Sequence, residues 1–244
     1  MKILNLGCGT KTSESLDVVN IDWSIYLRMS TNPITKRIAP FVLDKTRLAR
    51  MRSLPNNIMV HNLAKGIPFK DGTADVVYHS HVLEHLDFPI AMRFLEEARR
   101  VLKPNGVLRV VVPDFEMMAR AYVDHLAVCE QDSSAMFDHN DYLRPMIEQS
   151  VRREAFGTTQ QRSLRRLVEN LVLGDARQRG ETHQWMYDRF TLQAAMKTAG
   201  YSDTQVCPYD GSWIAGWAEY GLDANDDGSQ YKTDSLYVEG RKPA

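Results

Sequence analysis

The sequence predicts an α/β protein with a doubly wound, mostly parallel seven-stranded sheet and a helical insertion after the fifth strand. Short apolar segments recur along the chain and end in glycine or polar residues, as buried parallel strands do. Between residues 115 and 183 this pattern gives way to helical spacing of apolar residues. We therefore expect a core formed by residues 1–114 and 184–244, and an insertion, or lid, formed by residues 115–183.

The chain begins with a predicted strand and a glycine turn. Apolar residues up to Leu6 indicate a buried parallel strand. Gly7 and Gly9, on either side of Cys8, allow a sharp turn and a close approach to a ligand because neither carries a Cβ. Doubly wound sheets bind nucleotide-like cofactors at such a turn. Gly-x-Gly alone is more typical of a purely structural turn, so the interpretation depends on the residues that follow.

The second predicted strand covers residues 18–22 and ends in a carboxylate, Asp22. Folds of this class place there the acid that accepts hydrogen bonds from a ribose diol. The alternative is a surface turn residue or a helix cap. Only eight residues separate Gly9 from Val18, which is too few for a crossover helix with its loops. We therefore expect a turn, or no helix, between the first two strands.

Residues 24–57 form a long excursion before the third strand. Pro33 and Pro40 are expected to break it, and the spacing around residues 41–52 predicts a basic amphipathic helix. This helix would present either a solvated charged face or a patch that receives a phosphate.

The third and fourth predicted strands, residues 58–63 and 74–81, also end in polar residues. Four such strand ends form one edge large enough for a ligand. A third glycine three residues after Gly9 would favour hydride transfer with a dinucleotide, but Thr12 stands there. An oxidoreductase is therefore the less favoured reading of this turn.

The rest of the chain completes the alternation of helices and strands. The predicted strand at residues 107–112 is the most apolar in the chain and should lie near the centre of the sheet. The remaining predicted elements are a helix at 87–102, the fifth strand at 107–112, a helix at 188–199 and strands at 201–208 and 235–240.

These segments resemble the class I S-adenosylmethionine-dependent methyltransferases. Residues 4–9 (Leu-Asn-Leu-Gly-Cys-Gly) are similar to the first motif of that family, Asp22 to its ribose-binding acid, residues 67–75 to the approach to its fourth strand and residues 101–106 to the turn before its fifth. The resemblance implies a Rossmann-like core with S-adenosylmethionine as cofactor. The candidate cofactor-binding residues are Leu6, Gly7, Cys8, Gly9, Asp22, Trp23, Asn62, Leu63, His79 and Ser80.

Four further segments resemble a bacterial methyltransferase-like family associated with surface-polysaccharide biosynthesis. They are residues 81–86, 111–114, 183–188 and 236–243. This narrower resemblance implies that the acceptor is a small molecule or a saccharide, such as a surface-polysaccharide precursor.

Histidines are the candidate catalytic groups. Methyl transfer from a sulfonium mainly requires alignment of donor and acceptor, and a hydroxyl acceptor also benefits from a base with a pKa near neutrality. We assign this role to His81, His85 and His183, with Trp185 and Tyr187 expected to supply an apolar wall and a hydroxyl. His183 alternatively caps the helix that follows it.

His81, Glu84 and His85 share the i, i+3, i+4 spacing of one helical face. The simplest interpretation is that Glu84 and His85 cap and pack a short turn. Two other interpretations are that these residues contact the substrate or act as a base, and that they bind a metal ion. The His-x-x-Glu-His pattern also occurs in inverted zinc peptidases, so a metal-dependent hydrolase is an alternative function. A third candidate function is that of a methyltransferase-like binding subunit that does not catalyse a reaction. We assign no residue as a metal ligand.

Composition excludes several classes of protein. With 30 Lys and Arg against 31 Asp and Glu, the net charge of −1 gives no overall attraction to nucleic acid, and no such partner is expected. Cys8, Cys129 and Cys207 lack the paired spacing of a zinc site or a disulfide framework. The chain has neither a signal segment nor a run of about 18 apolar residues, so we expect a cytoplasmic protein without stable membrane insertion. The sequence does not indicate an oligomeric state.

Overall fold

The structure is a computed structural model that describes residues 1–43, 45–149 and 182–244. Its core is a seven-stranded sheet with the strand order β3-β2-β1-β4-β5-β7-β6. The strands are β1 (Ile3–Leu6), β2 (Val18–Asp22), β3 (Ile58–Val60), β4 (Ala74–Ser80), β5 (Leu102–Pro113), β6 (Ser202–Cys207) and β7 (Ser235–Arg241).

Strands β1 to β5 pair in parallel, whereas β7 is antiparallel to both of its neighbours, β5 and β6. The predicted mostly parallel seven-stranded sheet is therefore confirmed. Strands β2 and β3 lie on one side of β1, and β4 and β5 lie on the other. The winding direction thus reverses between β1 and β4, and open α/β sheets bind ligands at the carboxyl ends of the strands at such a point.

Seven α-helices accompany the sheet in the described part of the chain. They are α1 (Ile25–Thr31), α2 (Pro33–Val42), α3 (Lys45–Arg52), α4 (Phe88–Val101), α5 (Phe115–Gln131), α6 (Asn140–Gln149) and α7 (Arg189–Thr198). None of these helices is both long and apolar enough to cross a membrane.

The first connection and the excursion before β3 test two predictions. No helix lies between β1 and β2, as expected. The break predicted at Pro33 is confirmed, because α1 ends at Thr31 and α2 begins at Pro33, whereas the break predicted at Pro40 is wrong, because Pro40 lies inside α2. Pro33 is tolerated since the first turn has no intrahelical N–H bonds to lose. The predicted helix around 41–52 is instead the end of α2 followed by a separate α3.

Strand β5 begins five residues earlier than predicted, directly where α4 ends. The predicted turn at 103–106 is an irregularity inside the strand, where the pairing with β4 shifts register and Asn105 has a φ of 63°. The first residue of β5, Leu102, already pairs with Ala74 of β4. The additional residues of β5 therefore lie at the amino end of β4, away from the carboxyl ends of the strands.

Two apolar layers cover the sheet. On one face, α4 and α7 pack on β1, β4 and β5 through residues such as Leu95, Leu108 and Leu192. On the other face, Tyr78, Trp217 and Tyr237 form a second cluster. Helices α5 and α6 follow β5 in the chain, and α5 contacts α6. Residues 150–181 of the predicted 115–183 insertion lie outside the described residues, and its boundaries remain a prediction.

Candidate cofactor and acceptor site

A cavity of about 650 Å³ opens at the point where the winding of the sheet reverses. The carboxyl ends of β1, β4 and β5 form its floor, and residues of α5, α6 and the segment 231–234 form its walls. The predicted site residues that line it are Gly7, Cys8, Gly9, Ser80, His81, His85 and His183.

The glycine turn after β1 has a backbone conformation that requires glycine. Gly7 and Gly9 have φ angles of 67° and 55°, in the left-handed region. A Cβ on Gly7 would lie 2.6 Å from the Cγ2 atom of Val82, so this position also lacks space for a side chain. The Gly7 N–H donates to the Ile21 carbonyl at 2.8 Å, which fixes the turn against β2.

Asp22 connects the glycine turn to the first helix. Its Oδ2 accepts the Gly9 N–H at 2.8 Å, and its Oδ1 accepts the Ser24 N–H at 2.6 Å. Ser24 in turn caps α1. Each carboxylate oxygen has a second lone pair, so Asp22 can accept further hydrogen bonds while it holds the turn.

Three other candidate cofactor residues lie at the ends of β2 and β3, outside the lining of the cavity. Trp23 is partly exposed, and the Arg28 guanidinium lies 4.5 Å from its ring centroid. Asn62 Oδ1 accepts the Ala64 N–H and so caps a short 3-10 turn, Leu63–Lys65. Leu63 packs against the core. These side chains border the same edge of the sheet as Asp22.

Leu6 and His79 face the core rather than the cavity. Leu6 is fully buried in the apolar cluster beneath α4 and α7. The His79 ring lies edge-on to Phe94 with 5.3 Å between centroids, and neither ring nitrogen has a hydrogen-bond partner in the described structure. Burial lowers the pKa of His79 to about 3, so the ring is neutral at physiological pH.

His81 leaves β4 in a left-handed conformation, with a φ of 53°. Its Nε2 lies 2.9 Å from Ser235 Oγ, and its Nδ1 lies 3.3 Å from Glu84 Oε1. Burial, reinforced by the positive charge of Lys232, lowers the pKa of His81 to about 3. The hydrogen bond with Ser235 thus engages Nε2, whereas Nδ1 lies close to Glu84 without a hydrogen bond to it.

His85 and His183 face each other across the cavity wall, with 4.8 Å between ring centroids. His85 Nδ1 lies 3.2 Å from the Thr182 carbonyl, and His183 Nδ1 lies 2.9 Å from the Gln149 carbonyl. Because a carbonyl only accepts, each Nδ1 carries the proton and each Nε2 is the basic nitrogen. Burial lowers the pKa of His85 to about 4.

Glu84 is buried between these histidines at 1% exposure. Its Oε1 lies 4.0 Å from His85 Nε2, and within the described residues neither carboxylate oxygen has a hydrogen-bond partner. Burial raises the pKa of Glu84 to about 8. The interpretation of Glu84 as a capping side chain is therefore wrong: its backbone carbonyl, which accepts the N–H groups of Gln184 and Trp185, makes the structural contacts.

Glu84, His85 and His183 could together hold a metal ion, since one ligand atom from each lies within 4.8 Å of the others. This set differs from the His81, Glu84 and His85 set that the sequence spacing suggested. His81 also approaches Glu84, with its Nδ1 3.3 Å from Glu84 Oε1, but its Nε2 is hydrogen-bonded to Ser235.

The predicted aromatic wall is wrong. The Trp185 ring packs on Phe88, with 5.2 Å between centroids, and Tyr187 is buried beside Glu84. Neither lines the cavity, because the hydrogen bonds to the Glu84 carbonyl fix the direction of the chain at residues 184 and 185.

The structure adds cationic and polar residues that no sequence pattern had indicated. Lys11, Tyr231, Lys232 and Asp234 line the cavity. Lys11 Nζ donates to the Ala224 carbonyl at 2.6 Å and lies 4.5 Å from the Tyr231 ring centroid. The segment reaches the site because β7 pairs with β5, and no local sequence signal marks that pairing.

Comparison with known proteins defines the class of this region. Residues 4–110, less than half of the chain, match the family described as "Methyltransferase domain". The match runs from β1 into β5 and includes the glycine turn and Asp22. It supports a methyltransferase with S-adenosylmethionine as its cofactor.

Individual relatives either match only part of the chain or resemble it only distantly. A probable methyltransferase, ltbC, of Aspergillus luteorubrus is 30% identical over 111 residues, which cover 43% of this chain and 38% of that protein. A possible histamine N-methyltransferase from Thermotoga maritima shows a TM-score of 0.40 at 15% identity, covering 99% of this chain and 82% of its own. Human N-acetylserotonin methyltransferase, solved in complex with S-adenosylmethionine, shows a TM-score of 0.41 at 12% identity, and the match covers 99% of this chain and 47% of that protein. Similarity at this level does not identify an acceptor.

Proposed function

We propose that this protein transfers a methyl group from S-adenosylmethionine to a small-molecule or saccharide acceptor, such as a surface-polysaccharide precursor. One observation carries the proposal. The glycine turn, held by Asp22, opens at the reversal point of the sheet into the same cavity that His85 and His183 line. Cofactor and acceptor would therefore meet in one enclosed space, as in-line transfer requires.

The cofactor half of the site is assigned to the ends of β1, β2 and β3. Backbone groups of Gly7, Cys8 and Gly9 would contact the cofactor closely. The free lone pairs of Asp22 would accept the two ribose hydroxyls. Trp23, Asn62 and Leu63 would border the adenine, Ser80 would line the reacting end, and Leu6 and His79 would support these strands from the core.

The acceptor half is assigned to the histidine side of the cavity. Its lining is polar and carries the cations Lys11 and Lys232, which suits a hydroxyl-rich acceptor that bears an anionic group. When an acceptor oxygen attacks the methyl carbon, the electrons of the C–S bond return to sulfur and the hydroxyl proton passes to a base. His183 and His85 are assigned this role because a backbone carbonyl accepts from each Nδ1, so that Nε2 is the basic nitrogen, whereas the Nε2 of His81 is hydrogen-bonded to Ser235. His183 is the first choice, since burial lowers the pKa of His85 to about 4.

Calorimetry with S-adenosylhomocysteine tests the cofactor assignment. Asp22→Ala removes charge-assisted hydrogen bonds worth about 1.5–3 kcal/mol each and should weaken binding at least about tenfold. Asp210→Ala removes an exposed carboxylate after β6 and should leave the affinity unchanged. Equal affinities for Asp22→Ala and the unaltered protein would contradict the assignment. Turnover against nucleotide sugars and oligosaccharides then distinguishes an enzyme from a binding subunit.

A metal-dependent reaction is the second candidate, and the closeness of Glu84, His85 and His183 favours it. The two candidates respond differently to a chelator. Methyl transfer by base catalysis should persist after dialysis against a chelator, whereas a metal-dependent hydrolase should lose its activity and regain it with added Zn²⁺.

A further inference from the structure

A second cluster of potential metal ligands lies on α5 and in the turn before α6. His125 and Cys129 are four residues apart on α5, and His139 follows the 3-10 turn Ser133–Phe137. The Nδ1 atoms of His125 and His139 are 2.9 Å apart, and Cys129 Sγ lies 3.5 Å from His125 Nδ1. One ligand atom from each of the three residues lies within 4.8 Å of the others.

These separations are close to those of a tetrahedral metal site. Zinc–nitrogen bonds of about 2.0–2.1 Å and zinc–sulfur bonds of about 2.3 Å place two nitrogens about 3.3 Å apart, and nitrogen and sulfur about 3.6 Å apart. The sulfur–nitrogen distance agrees, and the two nitrogens need to separate by only about 0.4 Å. The His125 ring is held in place by stacking on Tyr142, with 3.8 Å between centroids.

We propose that His125, Cys129 and His139 bind a thiolate- and imidazole-preferring divalent transition metal, with zinc as the first choice. Two imidazoles and one thiolate are borderline to soft ligands, whereas Mg²⁺ and Ca²⁺ require oxygen ligands. Three protein ligands leave a fourth position for water. The half-buried Cys129 and His139 leave the site accessible to an entering ion.

Binding has a defined proton balance. The metal replaces the thiol proton of Cys129, which is released to solvent, while the imidazole that carries its proton on Nδ1 shifts it to Nε2. One proton therefore leaves per ion bound. The bound ion would tie α5 to the start of α6, and both helices contribute to the cavity wall through Met118, Pro145 and Gln149.

Cobalt titration of the full-length protein, stripped of metal and kept reduced, tests the site. We expect one thiolate-bound Co²⁺ per chain, measured by its thiolate-to-cobalt charge-transfer absorption, with one proton released as this absorption develops. Cys129→Ser should abolish this absorption, whereas the matched thiol variant Cys207→Ala should keep it. His139→Gln should weaken Zn²⁺ binding by more than about tenfold. Loss of a residue that only orients a metal ligand already costs at least about tenfold in affinity, and loss of a ligand should cost more.

The Glu84, His85 and His183 cluster provides the internal control. Glu84→Gln should leave the charge-transfer absorption intact, since that cluster contains no thiol. Absence of the absorption in the unaltered protein would overturn the proposal, and so would its persistence in Cys129→Ser. If Cys129→Ser does not fold, as judged by circular dichroism, unchanged Zn²⁺ affinity of folded His139→Gln would overturn it equally.

Discussion

His183 illustrates how one residue can have both a structural and a chemical role. Its Nδ1–H donates to the Gln149 carbonyl and so attaches residue 183 to the end of α6. Its Nε2 is therefore the basic nitrogen of the ring, and the side chain lines the cavity. A single truncation to alanine would remove both roles at once. Substitutions that keep one of them are therefore more informative.

His183→Asn keeps a donor near the position of Nδ1 but has no basic nitrogen. If His183 is the base, this variant should keep its melting temperature and lose about 10²–10⁴ in turnover, with cofactor affinity nearly unchanged. His183→Ala should show the same loss of turnover and also a lower melting temperature. Both quantities are measured on one preparation, by calorimetry and a methyl-transfer assay.

Near-normal turnover in His183→Asn would exclude His183 as the base. His85→Asn is the corresponding test of the neighbouring ring, since His85 Nδ1 also donates to a backbone carbonyl. A loss confined to one of the two variants identifies which Nε2 accepts the proton.

At the scale of elements, Arg109 joins the central strand to the antiparallel half of the sheet. It is fully buried on β5, with its Nε 2.7 Å from Asp223 and its Nη1 2.8 Å from Glu239 of β7. Its guanidinium also donates to the carbonyls of Pro208, Tyr209 and Gly211. The guanidinium of Arg109 supplies five N–H donors in a rigid planar group, and a lysine ammonium could not make the same set of hydrogen bonds.

Arg109→Met should destabilise the protein by about 3–5 kcal/mol, because it leaves two buried carboxylates without their counter-charge. Arg120→Met removes an exposed ion pair with Glu116 on α5 and should cost no more than about 0.5 kcal/mol. Urea unfolding of both variants measures the difference. A cost for Arg109→Met as small as that for Arg120→Met would show that the buried cluster does not hold β5 and β7 together.

Helices α5 and α6 are predicted to move when ligands bind. Their apolar residues Met118 and Pro145 line the cavity, while the outer faces of both helices are exposed. A helical segment over a strand's carboxyl end lies where substrate enters, and such segments commonly close on ligands. Amide exchange over residues 115–149 should slow when S-adenosylhomocysteine and an acceptor found by screening are both present.

Exchange in α4 provides the matched comparison, because its inner face is buried against the sheet. Rates in α4 should change little. Equal rates over residues 115–149 with and without both ligands would contradict the lid.

At the scale of the whole molecule, local patterns predicted the sheet but only part of the site. Apolar segments such as Ile3–Leu6 and Val18–Asp22 marked the parallel strands because such strands are buried on both faces. Tyr231 and Lys232 could not be found in this way. They reach the cavity through the antiparallel pairing of β5 and β7, a contact between residues more than 120 positions apart in the chain.

The cluster on α5 shows a related limit of sequence patterns. The spacing of the three cysteines contained no metal signal. The cluster consists of one cysteine and two histidines, so a search for paired cysteines could not find it. His139 joins them only after the chain has turned between α5 and α6. Likewise, the His-x-x-Glu-His spacing grouped His81 with Glu84, which lie 3.3 Å apart, but it contained no sign of His183, which joins Glu84 and His85 from a distant part of the chain.

Buried titrating groups on both sides of neutrality determine how the stability of the whole chain depends on pH. Burial lowers the pKa values of His79, His81 and His85 to about 3, 3 and 4, from 6.5. Below pH 6.5 the unfolded chain binds protons that the folded chain cannot, so stability falls as pH falls. Burial raises the pKa of Glu84 from 4.5 to about 8, so stability also falls as pH rises through this window.

The free energy of unfolding should therefore be greatest near pH 7, where the unfolded histidines have lost most of their protons and Glu84 is still mostly protonated in the folded chain. From pH 7 to 8 it should decline by about 0.5 kcal/mol, because the loss of about 1 kcal/mol from Glu84 exceeds the remaining gain of about 0.4 kcal/mol from the three histidines. Glu84→Gln cannot ionise and should abolish this decline while keeping the acid limb. Glu14→Gln, at an exposed position, should keep both limbs. Urea unfolding across this range measures the profile, and a decline of the same size in Glu84→Gln would show that Glu84 does not control it.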